Sequence, residues 1–196
     1  MVDGLRYTGA EALLGLAFGC TAGVALAVVG RLVPAAAPGI FALASIVNGI
    51  PIIAVAGVAV LTLPRDATPI VVAALASAFV VFVGTAAGFA SVREDARDLF
   101  AVLGASRWAT FARLDVPWAA AHVLDAARSA APASVVGAII GEWFAAEHGL
   151  GPMLIAAMQN YAMTQLWLVA LTGTALSLAL YGSLGLVRAA AERALR

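Results

Sequence analysis

The chain has 196 residues, 63% of them hydrophobic and only 11% charged, with a mean hydropathy of +1.01. A water-soluble domain of this length needs more charge to cover its surface, so the apolar excess must face lipid. Formal net charge is zero, which gives no electrostatic basis for a nucleic-acid partner.

All eleven basic residues are arginine. A phosphate-binding P-loop needs its lysine, so this chain cannot hydrolyse ATP through that motif, and any nucleotide chemistry belongs to a partner. The single cysteine, Cys20, lies in an apolar run and says nothing about redox compartment.

A membrane span takes about 20 mostly apolar residues. Five candidates follow in chain order: 12–30, 38–63, 67–92, 117–141 and 164–187. The expectation is an all-α polytopic bundle forming one transmembrane domain over 1–196. The first run starts at acidic Glu11 and lacks a basic n-region, so it reads as a span rather than a cleaved leader. Pro34 and Pro38 place a loop before the second, and Pro51, just after Asn48 and Gly49, predicts a kink within it. The fourth is the weakest, with His122, Asp125 and Arg128 in its first half.

Arginine placement sets the orientation. Eight arginines fall on one side (Arg31, Arg93, Arg97, Arg107, Arg113, Arg188, Arg193 and Arg196) against Arg6 and Arg65 on the other. This puts the 91–117 loop and the C-terminus in the cytoplasm and the N-terminus outside. Gly15, Gly19 and Gly23 form a smooth stripe on the first helix, and Gly84 with Gly88 and Gly137 with Gly141 repeat it. Such stripes let helix backbones approach closely. Static packing is the plainer reading; a sliding surface is the functional one.

The segment from Ser91 reads SVREDARDLFAVLGASRWATFARLDVP. Ala96, Leu99, Phe100 and Leu103 share one side of a short helix, with Asp95, Arg97 and Asp98 largely opposite. Gly104 ends that helix. A second turn follows with Trp108, Phe111, Ala112 and Leu114, and Pro117 opens the fourth span, where a missing N–H is harmless. Exposed Phe100, Trp108 and Phe111 call for a covering partner. A pair of helices lying on a lipid surface is the alternative.

This loop resembles the "EAA" loop of permease subunits of bacterial ABC importers with the type I fold. In that family a Glu-Ala-Ala triplet is followed by three residues, a glycine, and a proline thirteen positions on. Gly104 and Pro117 stand at that spacing, Leu114 takes the aliphatic position, and the stretch Leu103, Gly104, Ala105, Ser106, Arg107, Trp108 is characteristic. The triplet departs, being Asp98, Leu99 and Phe100. A second stretch, GEWFAAEHGLGPML, resembles the nitrate, sulfonate and taurine branch, in which a glycine-acid pair (here Gly141 and Glu142) precedes a Gly-Leu-Gly turn (Gly149, Leu150, Gly151). That branch also holds permeases for pyrimidine precursors and riboflavin-like compounds. The likeness runs from about residue 8 onward. Family members usually carry one more helix before the span matched by 12–30.

The resemblance implies a homodimer of permease subunits in the cell's inner membrane, two ABC ATPase subunits that bind ATP, and an extracytoplasmic substrate-binding protein. The chain itself is expected to bind no cofactor and to be no enzyme. The coupling residues are then Asp95, Asp98, Leu99, Phe100, Gly104, Ala105, Ser106, Arg107, Trp108, Phe111, Leu114 and Pro117. The expected solute is a small organic molecule, either sulfonate-, nitrate- or taurine-like or a heterocyclic vitamin precursor.

Within the spans, Asn48 and Pro51 are candidate pathway residues, with an interhelical hydrogen bond as the plain alternative for Asn48. Glu142, at the outer end of the fourth span, is a candidate gate or binding-protein contact; otherwise it is a solvated helix-end charge. Asp125 and Arg128 are expected to pair locally, and Glu147 and His148 to lie on a loop surface. Two distant histidines and one cysteine offer no metal-ligand spacing, and no catalytic set for an intramembrane enzyme is present. A secondary transporter or channel is the rival class; it would need polar groups deep in several spans, whereas Asn48 is the main one here.

Overall fold

A computed structural model describes residues 1–194; Arg196, counted in the arginine asymmetry, lies outside the described residues. Nine α-helices are present among them: α1 (Val2–Leu32), α2 (Ala37–Gly49), α3 (Ile52–Thr62), α4 (Thr68–Ala90), α5 (Glu94–Val102), α6 (Arg107–Thr110), α7 (Val116–Ala145), α8 (Leu150–Gln159) and α9 (Met163–Ala194). Four helical stretches are long and apolar enough to cross a membrane, and the bent pair α2–α3 makes a fifth.

Helices occupy all five of the expected stretches, and the helical structure differs from expectation in three places. First, α1 starts at Val2, ten residues before the predicted boundary. The charges of Asp3, Arg6 and Glu11 disqualify those turns as lipid-facing, yet nothing in them opposes a helix. At 31 residues α1 is about 46 Å long, more than the ~30 Å hydrocarbon layer needs. Second, the stretch 38–63 is a broken pair, not a kinked helix: α2 and α3 meet at 88°. Pro51 has no N–H for the ladder and holds Ile50 extended, at φ −72° and ψ 128°, so the helix stops and restarts. Third, α8 is a helix where a turn was expected. Gly149 precedes it at φ +125° and ψ −178°, a conformation that glycine alone adopts freely.

The bundle is organised around α4, which packs most extensively against α7 and α1. The small-residue stripes lie at these contacts. A Cβ added at Gly19 would meet the Ala74 carbonyl oxygen at 2.7 Å as well as Ser77 Oγ, and one at Gly23 would meet the Ala78 oxygen at 2.6 Å. One at Gly137 would sit 2.8 Å from Ala73 Cα. The contacts at Gly19, Gly23 and Gly137 include backbone atoms, so the stripes are surfaces of close helix packing. Accordingly Gly19→Val should lower stability by about 1–3 kcal/mol through overpacking. Thermal unfolding in detergent would measure this, with Gly39→Val, where a Cβ meets nothing within 4 Å, as the unaffected control.

Around α4 the core is made of small and aromatic side chains. Ala12, Ala73, Val135 and Ala138 form one cluster, and Ala27, Phe82, Phe89, Phe111 and Ala119 another nearer the 91–117 loop. Many large apolar side chains elsewhere on the spans are exposed, as lipid-facing surface requires.

Candidate functional site: the loop, the ion cluster behind it and an apolar cavity

The 91–117 loop begins with α5. Gly104 ends it at φ +69°. The Ala105 N–H donates to the Phe100 oxygen at 2.9 Å and the Gly104 N–H to the Ala101 oxygen at 3.0 Å. This paired closure needs a left-handed residue at Gly104. Ser106 then caps α6, its Oγ accepting the Ala109 N–H at 3.2 Å. Arg93 and Asp95 pair at 2.6 Å on the exposed start of α5, and the guanidinium holds the Asp95 carboxyl below the usual carboxylate range.

The second helix of the loop is not a separate element. A π turn, Phe111–Asp115, joins α6 to α7, so helix runs unbroken from Arg107 to Ala145. Pro117, near the start of α7, offers no N–H, and the wider turn before it accommodates the gap.

Leu99, Leu103 and Trp108 are exposed, Trp108 at 66%, and so is Val102 at 85%, which sequence reasoning passed over. Asp98 and Arg107 are exposed beside them, while Phe100, Ala105 and Leu114 are half-buried. Phe111 is a correction. It is buried rather than offered to a partner, packed against Phe89 (5.9 Å between ring centroids) and Trp108 (5.6 Å). Its ring fastens the loop to the bundle.

Behind the loop lies an ion cluster that no spacing rule announced. Asp115, buried, pairs with Arg31 at the end of α1 at 2.6 Å and with Arg97 of α5 at 3.4 Å. Arg97 also donates to the Phe89 oxygen of α4 at 2.7 Å. One carboxylate and two arginines thus tie the 91–117 loop to α1, α4 and α7.

A cavity of about 740 Å³ opens between α1, α2, α3, α4 and α7. Asn48, Gly49 and Pro51 line it at the α2–α3 break, with Leu26, Phe79, Phe82, Pro132 and Val136 among the walls. Asn48 is the one polar side chain lining it, and no lining residue is charged. The break adds carbonyls freed from the helical ladder.

Glu142 does not belong to this cavity. It is 1% exposed and accepts hydrogen bonds from Thr8 Oγ1 (2.6 Å) and the Gly151 N–H (2.6 Å), while the Leu150 N–H donates to Thr8 Oγ1 at 2.9 Å. Glu142 and Thr8 therefore satisfy the free amides at the start of α8 from two other helices. The side chain is therefore not a solvated helix-end charge. The Glu11 carboxyl lies beside it. Asp125 pairs with Arg188 of α9 rather than with Arg128, whose guanidinium stacks on Tyr181 at 4.0 Å. Glu147 and His148 are exposed, as expected, and His148 stacks on Tyr7.

The chain is thus an apolar helical bundle whose exposed loop runs, through one unbroken helix, into a cavity wall. Residues 15–196 match the family described as "Binding-protein-dependent transport system inner membrane component", and the chain belongs to it, as a permease subunit of the type I ABC importers. It is similar to the formylaminopyrimidine transport permease protein ThiX of Halalkalibacterium halodurans, 36% identical over 103 residues that make up 52% of this chain and 41% of that protein. It is also similar to the riboflavin transport system permease protein RibX of Chloroflexus aurantiacus, 26% identical over 141 residues, 71% of this chain and 53% of the relative. The matched regions thus span about half the length of these relatives. A chain of the MetNI methionine ABC transporter, solved in inward-facing conformations, has the same fold, with a TM-score of 0.80 over 97% of this chain and 95% of that one at 18% identity.

Proposed function

We propose that this chain pairs with a second copy in the inner membrane and forms the pathway of an ATP-driven importer. Two ATPase subunits grip the 91–117 loops from the cytoplasm, and an extracytoplasmic binding protein delivers the solute. The observation that carries this reading is the unbroken helix from Arg107 to Ala145, which joins exposed Trp108 directly to the cavity wall at Pro132 and Val136. Apolar tips ringed by charge suit docking to a protein, and the arginine asymmetry supports a cytoplasmic loop.

The solute is best read as a neutral, flat heterocycle rather than a sulfonate or nitrate. An anion passing the cavity would leave water without meeting a cation, which is strongly unfavourable. Asn48 and the free carbonyls suit the amide-like edge of a heterocycle, and the two relatives are permeases for formylaminopyrimidine and riboflavin, which are in that class.

Deleting the gene in its host and following uptake of labelled aminopyrimidine, riboflavin and taurine tests the solute; loss of a heterocycle with taurine intact is expected, and the reverse would overturn it. In a Cys20→Ser background, Val102→Cys should react with an impermeant maleimide only in inside-out vesicles. Labelling in intact cells would sink the orientation.

A further inference from the structure

Two neighbouring cavities share a wall behind the coupling loop. One, of about 300 Å³, is polar: Arg31, Arg97, Arg107 and Asp115 line it, with Leu32 and Pro34 at the α1–α2 connection. The other, of about 260 Å³, is apolar and lined by Ile40, Phe41, Phe82, Ala86 and Phe89 beside the same Arg31 and Arg97. Three guanidinium groups face one carboxylate, a formal excess of two positive charges at the mouth. Asp115 does not exhaust them. Arg31 Nε is buried without a hydrogen-bond partner, and Arg107 makes no ion pair among the described residues.

From this juxtaposition we infer that the paired cavities bind an anionic phospholipid of the inner leaflet, its headgroup phosphate on Arg31, Arg97 and Arg107 and the start of an acyl chain along Ile40, Phe41 and Phe82. A phosphodiester is the group that planar guanidinium donors bind in bidentate fashion. The apolar chamber selects an amphiphile over a free anion, because inorganic phosphate has nothing to place there. The location agrees: α1 ends at Leu32 and α4 at Ala90 beside these cavities, which under the proposed orientation is the cytoplasmic headgroup level. Bound there, the lipid bridges α1, α2, α4 and α5, so membrane composition bears on how firmly the coupling loop is held. The inner-leaflet assignment rests on the proposed orientation; the site itself does not.

The test is native mass spectrometry of the purified permease–ATPase complex, offered equal amounts of phosphatidylglycerol and phosphatidylcholine in detergent. Selective retention of phosphatidylglycerol is expected, reduced roughly fivefold for each arginine removed in Arg31→Gln and Arg107→Gln. Arg107 makes no ion pair among the described residues, so Arg107→Gln stays folded, and because Arg107 also rims the proposed docking surface, retention is scored on spectra in which the permease–ATPase complex is intact. Ala86→Leu, which narrows the apolar chamber, should also lower retention, whereas excess inorganic phosphate should displace the lipid only weakly. Equal binding of both lipids, or unchanged retention in Arg107→Gln, overturns the inference. So does full displacement by phosphate with Ala86→Leu neutral, which marks a free-anion site. Binding is read in detergent, so its failure is distinct from a failure of the Val102→Cys labelling, which concerns orientation alone.

Discussion

Trp108→Ala should weaken the hold of the permease on its ATPase subunits roughly thirtyfold, the effect of losing a central aromatic anchor worth about 2 kcal/mol. Trp108 is two-thirds exposed at the tip of the loop, with Leu99, Val102 and Leu103 around it as the apolar part of the surface. Most of its ring has no neighbour in this chain apart from Phe111, so truncation removes area that only a partner could have covered. The membrane bundle should therefore keep its thermal stability while ATPase association and transport fall together. Phe111→Ala should behave in the opposite way. That ring is buried, and its loss should destabilise the fold by about 3–5 kcal/mol before any question of docking arises. Titrating purified ATPase subunits against the permease in nanodiscs, with an unfolding curve for each variant, separates the two. If Trp108→Ala bound the ATPase normally, the loop would not be the docking surface.

Asp115→Ala should damage the fold to a similar degree, by about 3–5 kcal/mol. The carboxylate is buried, and its removal leaves Arg31 and Arg97 facing each other with their charge uncompensated. The Arg31–Asp115 contact is short, and the side chain sits at the end of the π turn, so the same change loosens three helix ends at once. Asp115→Asn preserves the shape without the charge and should recover little. Charge, not packing, holds the cluster. Removing the two arginines together with the aspartate, as Arg31→Met, Arg97→Met and Asp115→Leu, should restore much of the stability, because no ion then remains stranded. Chemical unfolding of the three variants in mild detergent would show the ordering, and a stable Asp115→Ala protein would refute it.

How much of this was legible beforehand varied with the kind of signal. The third and fourth expected stretches match α4 and α7 to within a few residues, because each has a proline suited to a first helical turn, although charges interrupt the apolar run of the fourth. The end of α5 at Gly104 was legible for a similar reason: a left-handed cap leaves a local mark. The break at Pro51 was visible as a disturbance but not as an 88° turn, since a proline says that the ladder fails and not where the chain goes next. Phe111 was misjudged because it sits in a π turn, where the ordinary 3.6-residue period that assigns faces no longer holds. Glu142 and Asp115 lay beyond any local rule. The partner hydroxyl of Glu142 is 134 positions away on α1, and Asp115 draws its arginines from two other helices. A lone acid near a helix end looks solvated in sequence; only the third dimension reveals the amides and guanidinium groups it serves.

The π turn at Phe111–Asp115 has a mechanical consequence under the proposed function. Helix runs unbroken from Trp108 to Pro132, so the 24-residue step between them acts as a crank about 36 Å long. A tilt of only about 5° at the ATPase end would swing Pro132 and Val136 sideways by about 3 Å, enough to change whether a flat ring fits past Asn48. The stroke that nucleotide closure must deliver is therefore small, and the gearing resides in this chain's longest helix.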